Sequence, residues 1–588
     1  MLSAGYSSML HELVPALIKP CLEFDRVRLA HFFCINARFK EFLFRGALKI
    51  TLFASLLLPF PGIAAITVPT PGSIQDSIPE NRSPVISSPP QVIFYNETAN
   101  PEDQPESKRF LVSGFNFVGN SVVNSAVLQR ITERYLDLQL TLGELDQAVA
   151  NITAYYRDQG YTVARAYVPA QSVVDGLVTI QIIEGHLGSV SFKGQNRYRS
   201  SFLQSYLDKF IVRKKDEPTS GEVVTDAGLE RRLLLLNDLP GLKARATLLP
   251  GDEFGTTNLF LELEEKLFGA SLGYSNSGTK ESGENRIDAG VTINNPFTLG
   301  DQLSYRHINS TDNLFTYEQV GYAIPLGYDG LKLGISTLST NYDLGGEFKT
   351  LDISGKVRSS DITLSYPFVR TRAKNIIGAL QYRQTKTEQT ALGVLVSSAT
   401  LPLTVASVYA NWVEEDSSAT AINIAYSTNF WYHGDNSSQE HVASKLETDL
   451  TYLTGATRNW DFFLHTQGAY SSASLPDTEK FSLGGADSVR GYSSAEVRGD
   501  KGYLVTMELR NQWRVRNVPG YFSLFVDTGG VNNKGFEGYD RISSAGAGLV
   551  FYAGNFGRFK LEYAKPLSSR NARDGKDERV WFNLSLGY

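Results

Sequence analysis

The chain has 588 residues, too long for one ordinary core, so roughly two to four domains is the starting expectation. With 42% hydrophobic and 20% charged residues and a mean hydropathy of -0.18, it is neither a helical membrane protein nor a wholly disordered chain. The net charge of -6, with no basic tract, speaks against a nucleic-acid binder. The 33 Phe, 29 Tyr, 5 Trp and 51 Gly suit a β-rich protein with many turns.

Both cysteines, Cys21 and Cys34, precede an apolar run from Ile50 to Phe60. Lys40, Arg45 and Lys49 stand before that run, and Gly62-Ile63-Ala64 follows it. A basic flank, a short apolar stretch and a small-x-small site are the pattern of a secretory signal peptide. A bilayer span needs roughly 20 apolar residues, more than this run supplies. Pro59 and Pro61 would also end a buried helix early. The leader is long, so either the true start lies downstream of Met1 or the protein carries an extended leader. Removal of residues 1–64 takes away seven Lys/Arg and four Asp/Glu, so the net charge becomes about -9 and no cysteine remains. An exported chain without disulfides fits a bacterial outer-membrane protein.

Residues 65–108 hold eight of the 23 prolines and read as an extended, weakly structured linker. The pattern then becomes mixed α/β. A strand is expected at Phe110–Asn120 and a helix at Asn124–Tyr135. A second helix opens on Thr141-x-x-Glu144, a capping-box pattern, and puts Leu145, Val149, Ile152 and Tyr156 on one face. Gly160 marks its stop. Strands follow at Val163–Val168 and Leu177–Glu184, around a turn at Asp175-Gly176. The order then recurs: Val190–Gln195 echoes Phe115–Asn120, followed by helical stretches at Ser200–Phe210 and Asp226–Asn237. Strands at Ala244–Pro250 and Thr257–Glu264 close the second copy.

Beyond Lys266 the sequence shows no convincing helix. Alternating segments of about ten residues are spaced by Gly, Asn, Asp and Ser. In the last one Val580, Phe582, Leu584, Leu586 and Tyr588 share a face opposite Trp581, Asn583, Ser585 and Gly587. Tyr503, Val505, Met507 and Leu509 likewise oppose Leu504, Thr506, Glu508 and Arg510, and Phe559, Leu561 and Tyr563 oppose Arg558, Lys560 and Glu562. Charges opposite a continuous apolar face suit a wall between lipid and a wet lumen. A soluble sandwich would turn the polar face outward instead, and periodicity alone does not say what lies beyond each face. The signal peptide and the aromatic C-terminus favour the barrel. At about 20 residues per strand and connection, this region gives about 16 strands.

Several stretches resemble one family. Tyr156–Tyr161 (YRDQGY), Ala164–Gln171 (ARAYVPAQ), Gly176–Val178 and Glu184-Gly185 are similar to the first polypeptide-transport-associated (POTRA) domain of two-partner secretion transporters, the haemolysin-activator or TpsB family. Asn294–Leu303 and Ile324–Tyr328 resemble early barrel turns of that family. Phe481–Gly485, Ser488–Tyr492 and Gly499–Tyr503 resemble its long sixth loop and the strand after it. Within that loop Val489-Arg490-Gly491-Tyr492 matches the signature of the larger superfamily, and Phe525-Val526-Asp527-Thr528-Gly529 matches its partner motif on a later strand. The resemblance implies a transmembrane antiparallel β-barrel of about 16 strands preceded by two small periplasmic α/β POTRA domains. The boundaries are 1–64 for the leader, 65–108 for the linker, 109–185 and 186–266 for the POTRA domains, and 267–588 for the barrel.

The resemblance also implies contact between Arg490 and Asp527 inside the lumen. Asp527 shares the inward face with Ser523 and Phe525, opposite Phe522, Leu524 and Val526, and a two-pronged guanidinium suits a desolvated carboxylate there. Gly485 and Gly491 are expected to let the loop fold back, Tyr492 to pack on the inner wall, and Gly529 to complete the strand motif. The family's N-terminal plug helix is a point of departure. Prolines 71 and 79 leave only Gly72–Ile78 between them, about 10 Å of helix.

No GxxxxGK[ST] loop, Gly-x-Ser-x-Gly elbow or metal-ligand spacing occurs. His186, His307, His433, His441 and His465 are scattered, so no enzyme, nucleotide, metal or cofactor is expected. The expected function is export of one large partner protein, recognised unfolded, by a monomer embedded in outer-membrane lipid with its POTRA domains in the periplasm. An insertase of the same superfamily and a passive porin are the alternatives. The Pro169-x-Gln171 and Asn295-Pro296 stretches lean toward secretion, and residues 109–266 speak against a porin.

Overall fold

The computed structural model describes residues 68–78, the backbone of 92–94, and 109–194, 196–208, 223–252, 255–414, 416–429, 444–457, 459–554 and 556–587. The expected signal peptide lies outside these. Among the described residues no helix is long and apolar enough to cross a membrane.

The first α/β unit follows its sequence pattern. The helix Leu142–Asp158 starts on a capping box, in which Thr141 Oγ1 accepts from the Glu144 amide at 3.2 Å and the Glu144 carboxylate accepts from the Thr141 amide at 2.8 Å. That backbone bond, more than any ion pair, holds the Glu144 carboxyl below its ordinary pKa. The helix buries Leu145, Ala148, Val149, Ile152 and Tyr156 against a sheet in which Leu177–Ile183 lies between Gly114–Val118 and Arg165–Tyr167. Each fully buried aliphatic side chain here contributes about 1.5–3 kcal/mol. The expected strand at Phe110–Asn120 is broken at Ser113, whose amide turns to donate to the Gly176 carbonyl at 2.8 Å. Phe110–Val112 then pairs with Leu138–Leu140, a short strand that has no periodicity of its own to reveal it. Buried Glu184 closes the unit by accepting from Ser121 Oγ, from the Val122 amide at 2.9 Å and from Tyr156 Oη at 2.8 Å. Burial, and then this bond, pushes the Tyr156 phenol up, so it stays a neutral donor.

The second α/β unit has the topology of the first. His186–Lys193 runs parallel to Thr256–Glu265, and Leu242–Pro250 runs antiparallel to it, as Gly114–Val118 and Arg165–Tyr167 do around Leu177–Ile183. Its core is the leucine-rich helix Asp226–Asn237 with the short helix Ser200–Gln204. The linker contributes a feature that proline content hides: Val92–Phe94 adds in parallel to the free edge at Ala246–Leu248. This unit is bolted to three turns of the barrel. Arg197 donates to the Asn295 and Pro296 carbonyls at 3.1 and 2.6 Å, Arg232 pairs with Asp329 at 3.0 Å, and Asp238 pairs with Arg370 at 2.7 Å. Tyr328 sits edge-on to both Phe202 and Tyr206.

Residues 268–587 close a barrel of sixteen antiparallel strands in sequence order. They run from eight residues (Phe268–Ser275) to twenty (Val394–Val413), and several are longer than the ten-residue segments read from the pattern. The longest form hairpins that continue past the neighbouring strand Ala419–Thr428. Ser271–Ser275 pairs with Asn583–Gly587 to close the wall. Around the last strands the alternation is as expected. Met507, Leu509, Leu524, Val526 and Val580 are exposed on the outside, whereas Thr506, Glu508, Ser523, Phe525, Asp527, Glu562 and Trp581 are buried on the inside. Leu524→Arg on the outer face should cost about 2–4 kcal/mol in barrel unfolding from lipid vesicles, as expected for a midplane charge. A stability equal to the parent protein's would contradict the lipid-facing assignment.

Candidate functional site

The loop 471–500 joins the strands Trp460–Tyr470 and Lys501–Val515 at the barrel end opposite the α/β units. It turns into the lumen. Phe481–Leu483 and Val497–Gly499 pair as a small ribbon, and Gly484 and Gly485 follow with φ of +105° and +108°, a backbone state that only glycine adopts at no cost. The Gly485 amide donates to the Tyr492 carbonyl, and the Tyr492 amide to the Val489 carbonyl, which makes Val489–Tyr492 a tight tip. Gly491 acts through space rather than torsion. A Cβ there would stand 2.7 Å from the Ser544 Cβ and 2.9 Å from the Pro566 nitrogen.

The tip delivers Arg490 into the wall. Its Nε and Nη2 donate to the two oxygens of Asp527 at 2.9 and 2.7 Å, and its backbone amide donates to Oδ2 at 3.1 Å. Ser544 Oγ adds a further bond to Asp527 at 3.1 Å. The remaining prong, Nη1, reaches Glu508 and Glu562, each at 2.8 Å. The guanidinium carbon lies 3.3 Å from the Phe525 ring centroid, and the Trp581 indole donates to the Arg490 carbonyl at 2.7 Å. Asp527 is completely buried and Arg490 nearly so. Lysine, a point charge on a single nitrogen, would not make the two-pronged contact.

Charge balance makes this burial tolerable. Arg510 donates to Glu508 at 2.8 Å and Lys560 meets Glu562 at 2.7 Å, so three cations face three carboxylates. The other motif residues form the apolar seat beside the charges. Val489 and Tyr492 pack with Leu483, Leu504, Val531 and Ile542, and the Tyr492 hydroxyl meets Ser568 Oγ. Gly529 is where the strand yields to the loop, because a Cβ there would stand 2.7 Å from a methyl of Leu483. The structure thus brings Val489, Arg490, Gly491, Tyr492, Phe525, Asp527 and Gly529 into one cluster, while Gly485 shapes the ribbon behind it. Sequence reasoning did not assign Glu508, Glu562, Trp581 or Ser544 to this cluster. The first three carried a signal: alternation already placed them on the face of their strands opposite the apolar one. Among the described residues no three His, Cys, Asp or Glu side chains are grouped to hold a metal ion.

A second part of the chain also occupies the lumen. Pro71–Gln75 forms a helix of five residues with proline at its first position and Thr70 as its N-cap. It is about 7.5 Å long, short as the prolines require. Ile74 packs into a cluster with Ile308, Phe315, Tyr317 and Tyr342 of the wall and with Phe348 of the connection after Lys332–Asp343. Arg286 donates to the Ser77 carbonyl and hydroxyl, both at 2.9 Å.

Residues 110–185 match the ShlB-type POTRA domain, and residues 255–551 match the haemolysin secretion/activation proteins ShlB/FhaC/HecB. The chain belongs to this family. It is 23% identical over 548 residues to the heme/hemopexin transporter protein HuxB of Haemophilus influenzae, covering 89% of this chain and 95% of that one. It is 24% identical over 408 residues to the outer membrane transporter CdiB of Dickeya dadantii, covering 66% of this chain and 70% of that one. The solved structure of CdiB from Escherichia coli shares the fold with a TM-score of 0.68 at 19% identity, over 84% of this chain and 93% of that one. The protein is an outer-membrane transporter of the two-partner secretion type, with its α/β region on the periplasmic side. The loop 471–500 therefore enters the lumen from the outer surface.

The Arg490 cluster should govern how that loop responds to protease. In the purified transporter the tip should resist cleavage, and Arg490→Ala, which leaves buried Asp527 without a cation, should open 471–500 to nicking. Equal resistance in both proteins would contradict a lock centred on Arg490.

Proposed function

We propose that this transporter binds one large exported protein in an unfolded state through two POTRA domains, 109–185 and 186–266, and passes it through the lumen of a monomeric barrel spanning residues 267–588. Physically, an extended chain adds to an exposed sheet edge, where main-chain hydrogen bonds give affinity and alternate side-chain pockets give choice. The observation that carries this reading is that the second sheet already accepts such a guest, since Val92–Phe94 pairs along Ala246–Leu248. The unit that carries that sheet is bonded to the barrel at Asn295, Tyr328 and Arg370.

Passage requires the loop and the short helix to leave the positions they occupy in the lumen, and both are held there by polar contacts and small apolar clusters rather than by a continuous core. Folding of the cargo outside the cell makes the movement irreversible without a nucleotide. The Arg490–Asp527 pair, together with Val489, Gly491, Tyr492, Gly485, Phe525 and Gly529, organises the lumen between transport events.

Two experiments test this. Comparing the culture supernatant and outer membrane with and without the gene should show loss of a single large exported protein with other barrels unchanged. A general loss of barrel proteins would mean an insertase instead. Arg490→Ala and Asp527→Ala should each lower secretion, and the double variant should be little worse than either single. Additive losses would contradict a direct functional pair.

A further inference from the structure

The root of the same loop carries a second ion cluster, on a different part of the wall from the Arg490 lock. Asp477–Glu479 is a single 3-10 turn, and its two acidic residues reach in different directions. Glu479 faces the wall. Its carboxylate accepts from Arg383 Nη2 at 2.8 Å and from Lys445 Nζ at 3.0 Å, and Lys445 also donates to the Glu479 carbonyl at 3.1 Å. Arg383 and Lys445 belong to the strands Lys374–Ala391 and Ser444–Thr457, neither of which contributes to the Arg490 cluster. Lys445 has one further acidic neighbour, Glu447, at 3.1 Å.

Asp477 faces the short lumenal helix. It accepts from the Gly72 amide at 2.6 Å and from Thr70 Oγ1 at 3.0 Å. Arg498 completes the contact by donating to Asp477, to Thr70 Oγ1 at 3.1 Å and to Asp76 at 3.0 Å. The fit leaves no room at Gly72, where a Cβ would stand 2.6 Å from the Asp477 carboxylate. The turn therefore has the helix on one side and two wall cations on the other, two residues apart.

We propose that Glu479 is a positioning residue for closure: its ion pairs with Arg383 and Lys445 fix the turn that lets Asp477 and Arg498 hold residues 70–76 in the lumen. This deepens the transport reading and rests on it for the meaning of an open pore, but the contact itself acts without any cargo. Glu479 is the group suited to this role because it is buried, with a side chain 7% exposed, and so cannot trade its protein partners for water without the turn moving. Asp477, at 37%, can.

The test is ionic conductance of the purified full-length transporter in planar bilayers, with no partner protein present. Folding of each variant is checked by the heat-dependent shift of an intact barrel on a gel. Glu479→Gln should raise the fraction of time spent open about tenfold, in keeping with the loss of a charge-assisted hydrogen bond. It should do so at an unchanged barrel melting temperature, which a merely structural role would lower. Asp477→Asn should open the pore as well, and the double variant should open no further than the more open single, because both act through one turn. If Glu479→Gln fails to fold, Arg383→Gln carries the test with the same expected direction. Conductance equal to the parent's in whichever of these folds, or multiplicative opening in the double variant, would overturn the proposal. Because the readout needs no cargo, a failure here leaves the secretion assay standing, and a failure of secretion leaves the conductance result standing.

Discussion

One arginine buried against three carboxylates is the constraint on which the barrel interior depends. Removing a charge from water costs several kcal/mol even after relaxation, so such a group persists only where its hydrogen bonds are met and its charge is matched. Arg490 meets that condition through Asp527, Glu508 and Glu562, with Arg510 and Lys560 balancing the excess negative charge. The cluster is assembled only when the loop is inside. With the loop withdrawn, Asp527 would face the lumen with Ser544 as its remaining neighbour, so the closed arrangement is favoured electrostatically without a continuous apolar core. The proposed passage of cargo would displace such a loop and let it return.

The other contacts follow from that placement. Once the tip is fixed, the ribbon Phe481–Leu483 and Val497–Gly499 is held over Gly529, and the loop's root lies within reach of the short helix and of the wall. On the periplasmic side the second α/β unit is fastened to the barrel by Arg197, Arg232 and Asp238. The first unit joins it through local bonds such as that from the Asp226 amide to the Gly160 carbonyl at 2.8 Å.

Much of this was legible in the sequence where local chemistry and periodicity agree. The helix at Asp226–Asn237 lies where the sequence placed it, and the Thr141 capping box starts its helix as read. The two-residue alternation on the strand Val518–Asn532 assigned Asp527 to the inner face before any geometry was known. What could not be read depends on distant parts of the chain. Glu479 and Lys445 are 34 positions apart and Arg490 and Glu562 are 72 apart, and no spacing rule joins them. Leu138–Leu140 and Val92–Phe94 are too short for a pattern and form only because a free edge awaits them. Room for the short helix Pro71–Gln75 was visible between the prolines, but its packing against Ile308, Phe315 and Tyr342 was not.

The most direct test of lumenal passage is photo-crosslinking during export. A photoreactive residue at Gln467, on the inward face of the strand Trp460–Tyr470, should form large adducts with the exported protein while cells are secreting. The same residue at Leu524, on the lipid face, should form none. Adducts at Leu524 but not at Gln467 would contradict transport through the barrel lumen.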